Sequence, residues 1–227
     1  DVRCDGTFSM RGHSVGGYGS VTTNKIIATI VADLFDMYVQ AYPKYGSEKK
    51  GLPTTYYLTV SPERVKTHNE LEFVEFVPLN DINAFNLANP LKGLRSEGML
   101  FVQSAKTKSN EIWKDFPKWA QQTIKKEKIT VLALNTVKIA KEVSSRPDLI
   151  QRMQGIVLLG IFLKATPFLE RSGISENNLM VEVEKSLRKY FGKRGEQVVQ
   201  DNLNAVKRGF NEVFEVKQEN TREETSA

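Results

Sequence analysis

The sequence predicts an α/β fold: a Rossmann-like, mostly parallel sheet with flanking helices and a C-terminal helical layer. Three observations carry this. Short runs rich in β-branched and aromatic residues alternate with helical stripes over residues 1–147. A glycine-rich turn separates the first such run from the first stripe. Residues 148–216 contain helical periodicity and no expected strand. Together these predict a single domain over 1–216, with 217–227 as a flexible tail lacking apolar anchors.

The elements follow in order. "TFSM" reads as a short strand, and Gly12 to Gly19 as a turn that includes His13. Val21, Ile26, Ile27, Ile30, Val31, Leu34 and Phe35 then form one helical stripe. "MYVQAY" reads as the second strand, so the opening predicts a βαβ unit with parallel strands. "PKYGSEKKGLP", bounded by Pro43 and Pro53, is a polar, basic loop. "TTYYLTV", "LEFVEFVPL", "GMLFVQS" and "ITVLAL" are expected strands. "NLANPLKGLRSEG" reads as a short helix or turn. "SNEIWKDFP" reads as a helical turn ended by Pro117, and "NTVKIAKEV" as a helix.

"LIQRMQGIVLLGIFLKA" is apolar almost all round and predicts a buried helix, with Gly155 and Gly160 allowing close approach. Ser175 is the expected cap of the next helix, whose stripe is Leu179, Val183, Leu187 and Phe191. The last helix sets Val199, Leu203, Val206, Phe210 and Val213 on one face.

The chain has 227 residues, a formal charge of +5 and a pI near 9.1. Lys and Arg are interleaved with Glu, as in "EVEKSLRKYFGKRGEQ", which is the pattern of solvated helix faces and argues against nucleic acid as a partner. "GIVLLGIFL" is too short to cross a bilayer, which takes roughly 20 residues, so no membrane association is expected. A single cysteine, Cys4, and no visible secretory signal point to a cytoplasmic protein.

No complete chemical motif stands out. Gly17-Tyr18-Gly19 opens a dinucleotide-type G-x-G-x-x-G, but Thr22 stands where the third glycine belongs. Gly12 to Gly17 has Walker A spacing, but Tyr18 stands where lysine is required. A glycine turn before a helix still offers backbone N–H groups to an anion. His13 is read as a turn residue before a catalytic one, and His68 as an exposed residue in a surface connection. The loop carrying Lys44, Tyr45, Glu48, Lys49 and Lys50 is expected on the same sheet edge as the glycine turn. No metal-binding or catalytic constellation is expected in this chain.

"RGHSVGGYGSVTTNKIIA", "QAYPKYGSEKKGLPTTYYL" and "LRKYFGKRGEQVVQDNLNAVKRGF" resemble the gamma subunit, or equivalent internal domain, of 2-oxoacid:ferredoxin oxidoreductases of the pyruvate synthase type. The resemblance runs from about Phe8 to Val216. The family turn "GxGGQG" is here Gly16-Gly17-Tyr18-Gly19, with Tyr18 in place of glutamine. The family's "YG-P/S-E-x-R/K-G-G" loop is here Tyr45-Gly46-Ser47-Glu48-Lys49-Lys50-Gly51.

The resemblance implies an enzyme that oxidatively decarboxylates a 2-oxoacid, usually to an acyl-coenzyme A and carbon dioxide. Electrons leave through [4Fe–4S] clusters to ferredoxin. Thiamine diphosphate, Mg and the clusters are then expected on alpha, beta and ferredoxin-like partner chains, with coenzyme A at an interface. On this chain, His13, Gly16, Gly17, Tyr18, Gly19, Lys44, Tyr45, Gly46, Glu48, Lys49 and Lys50 would shape the substrate and coenzyme A entrance. The alternative is a free-standing Rossmann-like nucleotide-binding protein. A native assembly containing thiamine and clusters separates the first reading from a monomer that retains nucleotide.

Overall fold

In the first strand, Phe8 and Met10 point one way and Ser9, Arg11 and His13 the other, so one face is apolar and the other polar. The computed structural model, which describes residues 3–14, 20–44, 54–66 and 71–218, builds on that division. Its strands are β1 (Phe8–Ser14), β2 (Tyr38–Lys44), β3 (Thr54–Ser61), β4 (Val74–Leu79), β5 (Leu94–Gln103), β6 (Thr130–Leu134) and β7 (Phe214–Glu215). They form one seven-stranded sheet in the order β2-β3-β1-β4-β5-β6-β7. β1, β4, β5 and β6 are mutually parallel, while β3 runs against β1 and β2, and β7 against β6. Five strands therefore share one direction, and the sheet is mostly parallel as expected.

Two expectations are corrected. β1 and β2 do run the same way, but β3 lies between them and pairs antiparallel with both. The opening is thus a split β-α-β, not an adjacent pair. The C-terminal third also supplies a strand, because β7 adds a two-residue antiparallel edge to β6.

The helices are α1 (Ser20–Phe35), α2 (Ala84–Leu87), α3 (Ser109–Asp115), α4 (Lys118–Lys126), α5 (Thr136–Val143), α6 (Ile150–Ala165), α7 (Phe168–Ser172), α8 (Glu176–Phe191) and α9 (Glu196–Glu212). Strand alternation sorts their contacts into two cores. Phe8, Met10, Phe76 and Phe101 face α1, α5, α6, α8 and α9. Val77, Leu100, Val102 and Val131 face α2, α3 and α4. The C-terminal helices thus pack directly on the sheet and share its larger core.

α6 is the centre of that core. Ile156 to Leu163 are all buried, and the Phe162 ring meets Phe8 edge-on at 5.9 Å and Phe76 at 6.3 Å. Its glycines do what their spacing suggests. A Cβ on Gly160 would sit 2.1 Å from the Val206 carbonyl oxygen, and one on Gly209 would sit 2.2 Å from that of Val157, so α6 and α9 touch backbone to backbone. The cap expected at Ser175 forms, its Oγ accepting from the Asn178 N–H; an unanticipated one forms at Asn135, whose Oδ1 accepts from that of Lys138. At the chain end, Lys217 N–H donates to Ser109 Oγ at 3.1 Å and Gln218 Nε2 to the Ile129 carbonyl at 3.2 Å. Residues 219–227, the remainder of the expected tail, lie outside the described residues.

Candidate functional site

Cross-strand register assembles the polar face of β1 into rungs. Ser9 pairs with Thr59 and Thr59 with Gln40, giving the first. Arg11 pairs with Tyr57 and Tyr57 with Tyr42, giving the second. His13 pairs with Thr55 and Thr55 with Lys44, giving the third. On this face the second core covers β4, β5 and β6 and includes no residue of β1, β2 or β3. The rungs therefore lie beside the helical layer rather than under it.

The first rung is sealed. Ser9 Oγ and Thr59 Oγ1 lie 3.2 Å apart, and Arg3 Nη1 donates to Ser9 Oγ at 3.0 Å. The other two rungs floor a cleft of about 660 Å³. Its walls include Glu72 and Phe73 ahead of β4, and Leu87 and Lys92 between α2 and β5. The Tyr57 ring lies on the floor and stacks on the neighbouring Tyr42 ring at 5.0 Å. Phe73 and Leu87 are each 48% exposed, so the rim is partly apolar.

Two buried groups face this cleft with bonding capacity left over. Arg11 is 8% exposed, and its Nη2 donates to the carbonyls of Pro90 (3.0 Å) and Lys92. Its Nε has no partner among the described residues. Burial pushes the Arg11 pKa down, but a guanidinium stays charged. His13 is 7% exposed, and its Nε2 also lacks a partner among the described residues. Burial, and then the charge on Arg11, push its pKa down to about 4, so the imidazole is neutral near pH 7. The arrangement presents fixed positive charge beside a neutral imidazole, which suits recognition of an anion and supplies no nucleophile–base pair.

Of the residues singled out in the sequence, His13 and Lys44 are thus brought to one cleft. His13 is not in a turn, however. It belongs to β1, as does Gly12, whose missing side chain leaves room for the Tyr56 ring: an added Cβ would lie 1.9 Å from Tyr56 Cζ. Gly16, Gly17, Tyr18, Gly19, Tyr45, Gly46, Glu48, Lys49 and Lys50 lie outside the described residues, as does His68. Arg11, Tyr57 and Lys92 were not anticipated. The alternation in "FSMRGHS" was the available signal, since it sets Arg11 and His13 on one polar face.

A second cavity of about 300 Å³, with Ile26, Met153, Ile156 and Phe191 in its wall, lies among α1, α6, α8 and α9. Of the anticipated site residues that the structure describes, neither His13 nor Lys44 borders it. Cys4, the single cysteine, lies 3.1 Å from Ser61 Oγ and 3.2 Å from Thr7 Oγ1 through its sulfur. A [4Fe–4S] cluster takes four thiolates, so one cysteine does not fit such a cluster. Among the described residues no group of three or more His, Cys, Asp or Glu could hold a metal ion. No helix among the described residues is long and apolar enough to cross a membrane.

Comparison with known proteins gives this architecture a family. The model of the pyruvate ferredoxin/flavodoxin oxidoreductase family matches residues 9–212. A pyruvate synthase subunit PorC from Thermotoga maritima is 25% identical over 207 residues, covering 91% of this chain and 94% of that protein. A putative pyruvate-flavodoxin oxidoreductase from Synechocystis is 24% identical over 90% of this chain. The chain spans only 16% of that longer protein's length. The crystal structure of the Thermotoga maritima pyruvate oxidoreductase subunit PORC shares the fold, with a TM-score of 0.68 at 21% identity, over 93% of this chain and 99% of that one. With the match running through almost every described element, the chain belongs to the pyruvate ferredoxin/flavodoxin oxidoreductase family.

Proposed function

We infer that this chain is the gamma subunit, or the equivalent segment of a longer polypeptide, of a thiamine diphosphate-dependent 2-oxoacid:ferredoxin oxidoreductase. The carrying observation is the family match over residues 9–212, supported by a relative named as a pyruvate synthase subunit whose length this chain covers almost completely. In this reading the enzyme works in the cytoplasm with alpha, beta and ferredoxin-like chains. It oxidises a 2-oxoacid and passes electrons to ferredoxin. Thiamine diphosphate, Mg and the clusters belong to the companion chains. The cysteine content of this chain supports that division for the clusters.

The edge marked by His13 and Lys44 borders the entrance for substrate and coenzyme A. Both residues pair with Thr55 and line one cleft, and Lys92 adds further positive charge there. Residues 16–19 and 45–50, which follow β1 and β2 in the chain, share that role. Coenzyme A carries several negative charges, which lysine ammonium groups attract.

Two measurements test this. Purification through a tag on this chain should yield companion polypeptides, thiamine diphosphate and iron, and the assembly should reduce ferredoxin with a 2-oxoacid. A tagged chain that emerges alone rejects the subunit reading. In the active assembly, alanine at Lys44, Lys49 and Lys50 together should raise the KM for coenzyme A several-fold with little change in kcat. An unchanged KM for both coenzyme A and the oxoacid rejects the entrance role.

A further inference from the structure

We propose that the cleft over the Arg11–Tyr57–Tyr42 rung seats a companion polypeptide of the same enzyme, which directs an aspartate or glutamate side chain toward the Arg11 guanidinium. The proposal rests on the subunit reading above and adds to it the docking face and the chemistry of the contact.

Three observations support it. First, Arg11 is a buried cation without a counter-ion. Among the described residues its bonds go to two backbone carbonyls, it makes no ion pair, and its Nε has no acceptor. Removing a charge from water without an opposite charge is costly, and a buried guanidinium is the group best shaped to receive a carboxylate. Second, the surroundings are complementary to an acid. Among the described residues, Lys44 and Lys92 line the same cleft, His13 is neutral and faces it with an open Nε2, and Glu72 is the single carboxylate residue in the lining. Third, the cleft has the composition of an interface centre. A buried arginine and Tyr57, itself stacked on Tyr42, lie at its floor, and exposed Phe73 and Leu87 line it. The helical layer that covers β4–β6 stops short of these strands, so among the described residues no helix covers this half of the sheet on that face.

The test uses the native assembly purified through a tag on this chain. Zero-length carbodiimide coupling, read by mass spectrometry, should join Lys92 to an Asp or Glu of a companion chain. Lys92→Glu and Phe73→Ser, both at exposed positions, should each lower the companion yield at least ten-fold. Lys207→Glu, on α9 across the sheet, should leave it unchanged. Arg11→Lys, with folding checked by its melting curve, should give a similar loss.

Full companion yield with Lys92→Glu and Phe73→Ser, and no coupling from Lys92, overturns the proposal while leaving the subunit reading intact. Coupling that joins two copies of this chain overturns it in favour of self-association. A wild-type chain that brings down no companions rejects the subunit reading itself.

Discussion

Arg11 and His13 sit two residues apart on one buried face of β1, and the guanidinium reinforces what burial does to the imidazole. Together they push the His13 pKa down to about 4. An unfolded histidine titrates near 6.5. Between those values the unfolded chain binds the proton and the folded chain does not. Stability therefore falls as pH drops from about 6.5 toward 4, by up to about 3 kcal/mol, and is fully present above 6.5. Chemical denaturation of the isolated chain across pH 4–8 should show this slope, and His13→Asn should flatten it. A carboxylate arriving beside Arg11 would raise the His13 pKa, which makes the imidazole proton resonances a reporter of docking.

The α6–α9 contact leaves no space for a methyl group. Gly160→Ala and Gly209→Ala would each drive a Cβ into a carbonyl oxygen of the facing helix. Each should cost about 2–3 kcal/mol and lower the melting temperature by roughly 5–10 °C. At Gly155 the nearest atoms to an added Cβ belong to the Thr23 side chain rather than to backbone, so Gly155→Ala should cost less. Thermal melts of the three variants provide the ranking.

Glu75 ties the N-terminal segment to the sheet. Its carboxylate accepts from Arg3 Nη1 at 3.0 Å, from Arg3 Nη2 at 2.7 Å and from the Ser9 N–H at 2.6 Å. Glu75→Ala takes one acceptor from each of these donors, while Arg3 Nη1 keeps Ser9 Oγ, and should cost about 1–3 kcal/mol. Hydrogen exchange at the Ser9 amide should accelerate more than at the amides of β6.

α4 ends in a Schellman arrangement with lysine where glycine is usual. Ile129 N–H donates to the Ile124 carbonyl at 2.9 Å, Lys128 N–H to that of Lys125 at 3.2 Å, and Lys128 has φ 52°. Lys128→Gly removes the steric cost of the left-handed backbone and should stabilise by about 0.5–1 kcal/mol. A higher urea midpoint with an unchanged slope is the expected result.

The legible parts of the fold were those set by local chemistry. Ser175 caps its helix because its side-chain oxygen accepts a free N–H group of the first turn. α6 read as buried because it is apolar all round, and β6 because it is a short apolar run between turn residues. Strand order was not legible. "TTYYLTV" announces a strand with an apolar and a polar face, but alternation carries no information about neighbours, so the placement of β3 between β1 and β2 had no local signal. β7 was missed because two residues are too few for a period. At the site, His13 and Lys44 were singled out as members of the glycine turn and the basic loop, though both lie in strands, whereas Tyr57 and Lys92 reach the cleft only through register and the chain's return after α2. Arg11 was masked by the glycine pattern around it.

The insertion of β3 has a price during synthesis. β1 takes Val60 and Phe76 as partners for Phe8 and Met10, and both arrive long after β1 has left the ribosome. Until then the nascent chain carries an unpaired apolar strand, followed by an α1 whose buried stripe has nothing to rest on. Chaperone demand should therefore concentrate while residues 8–73 emerge and fall once β4 has emerged.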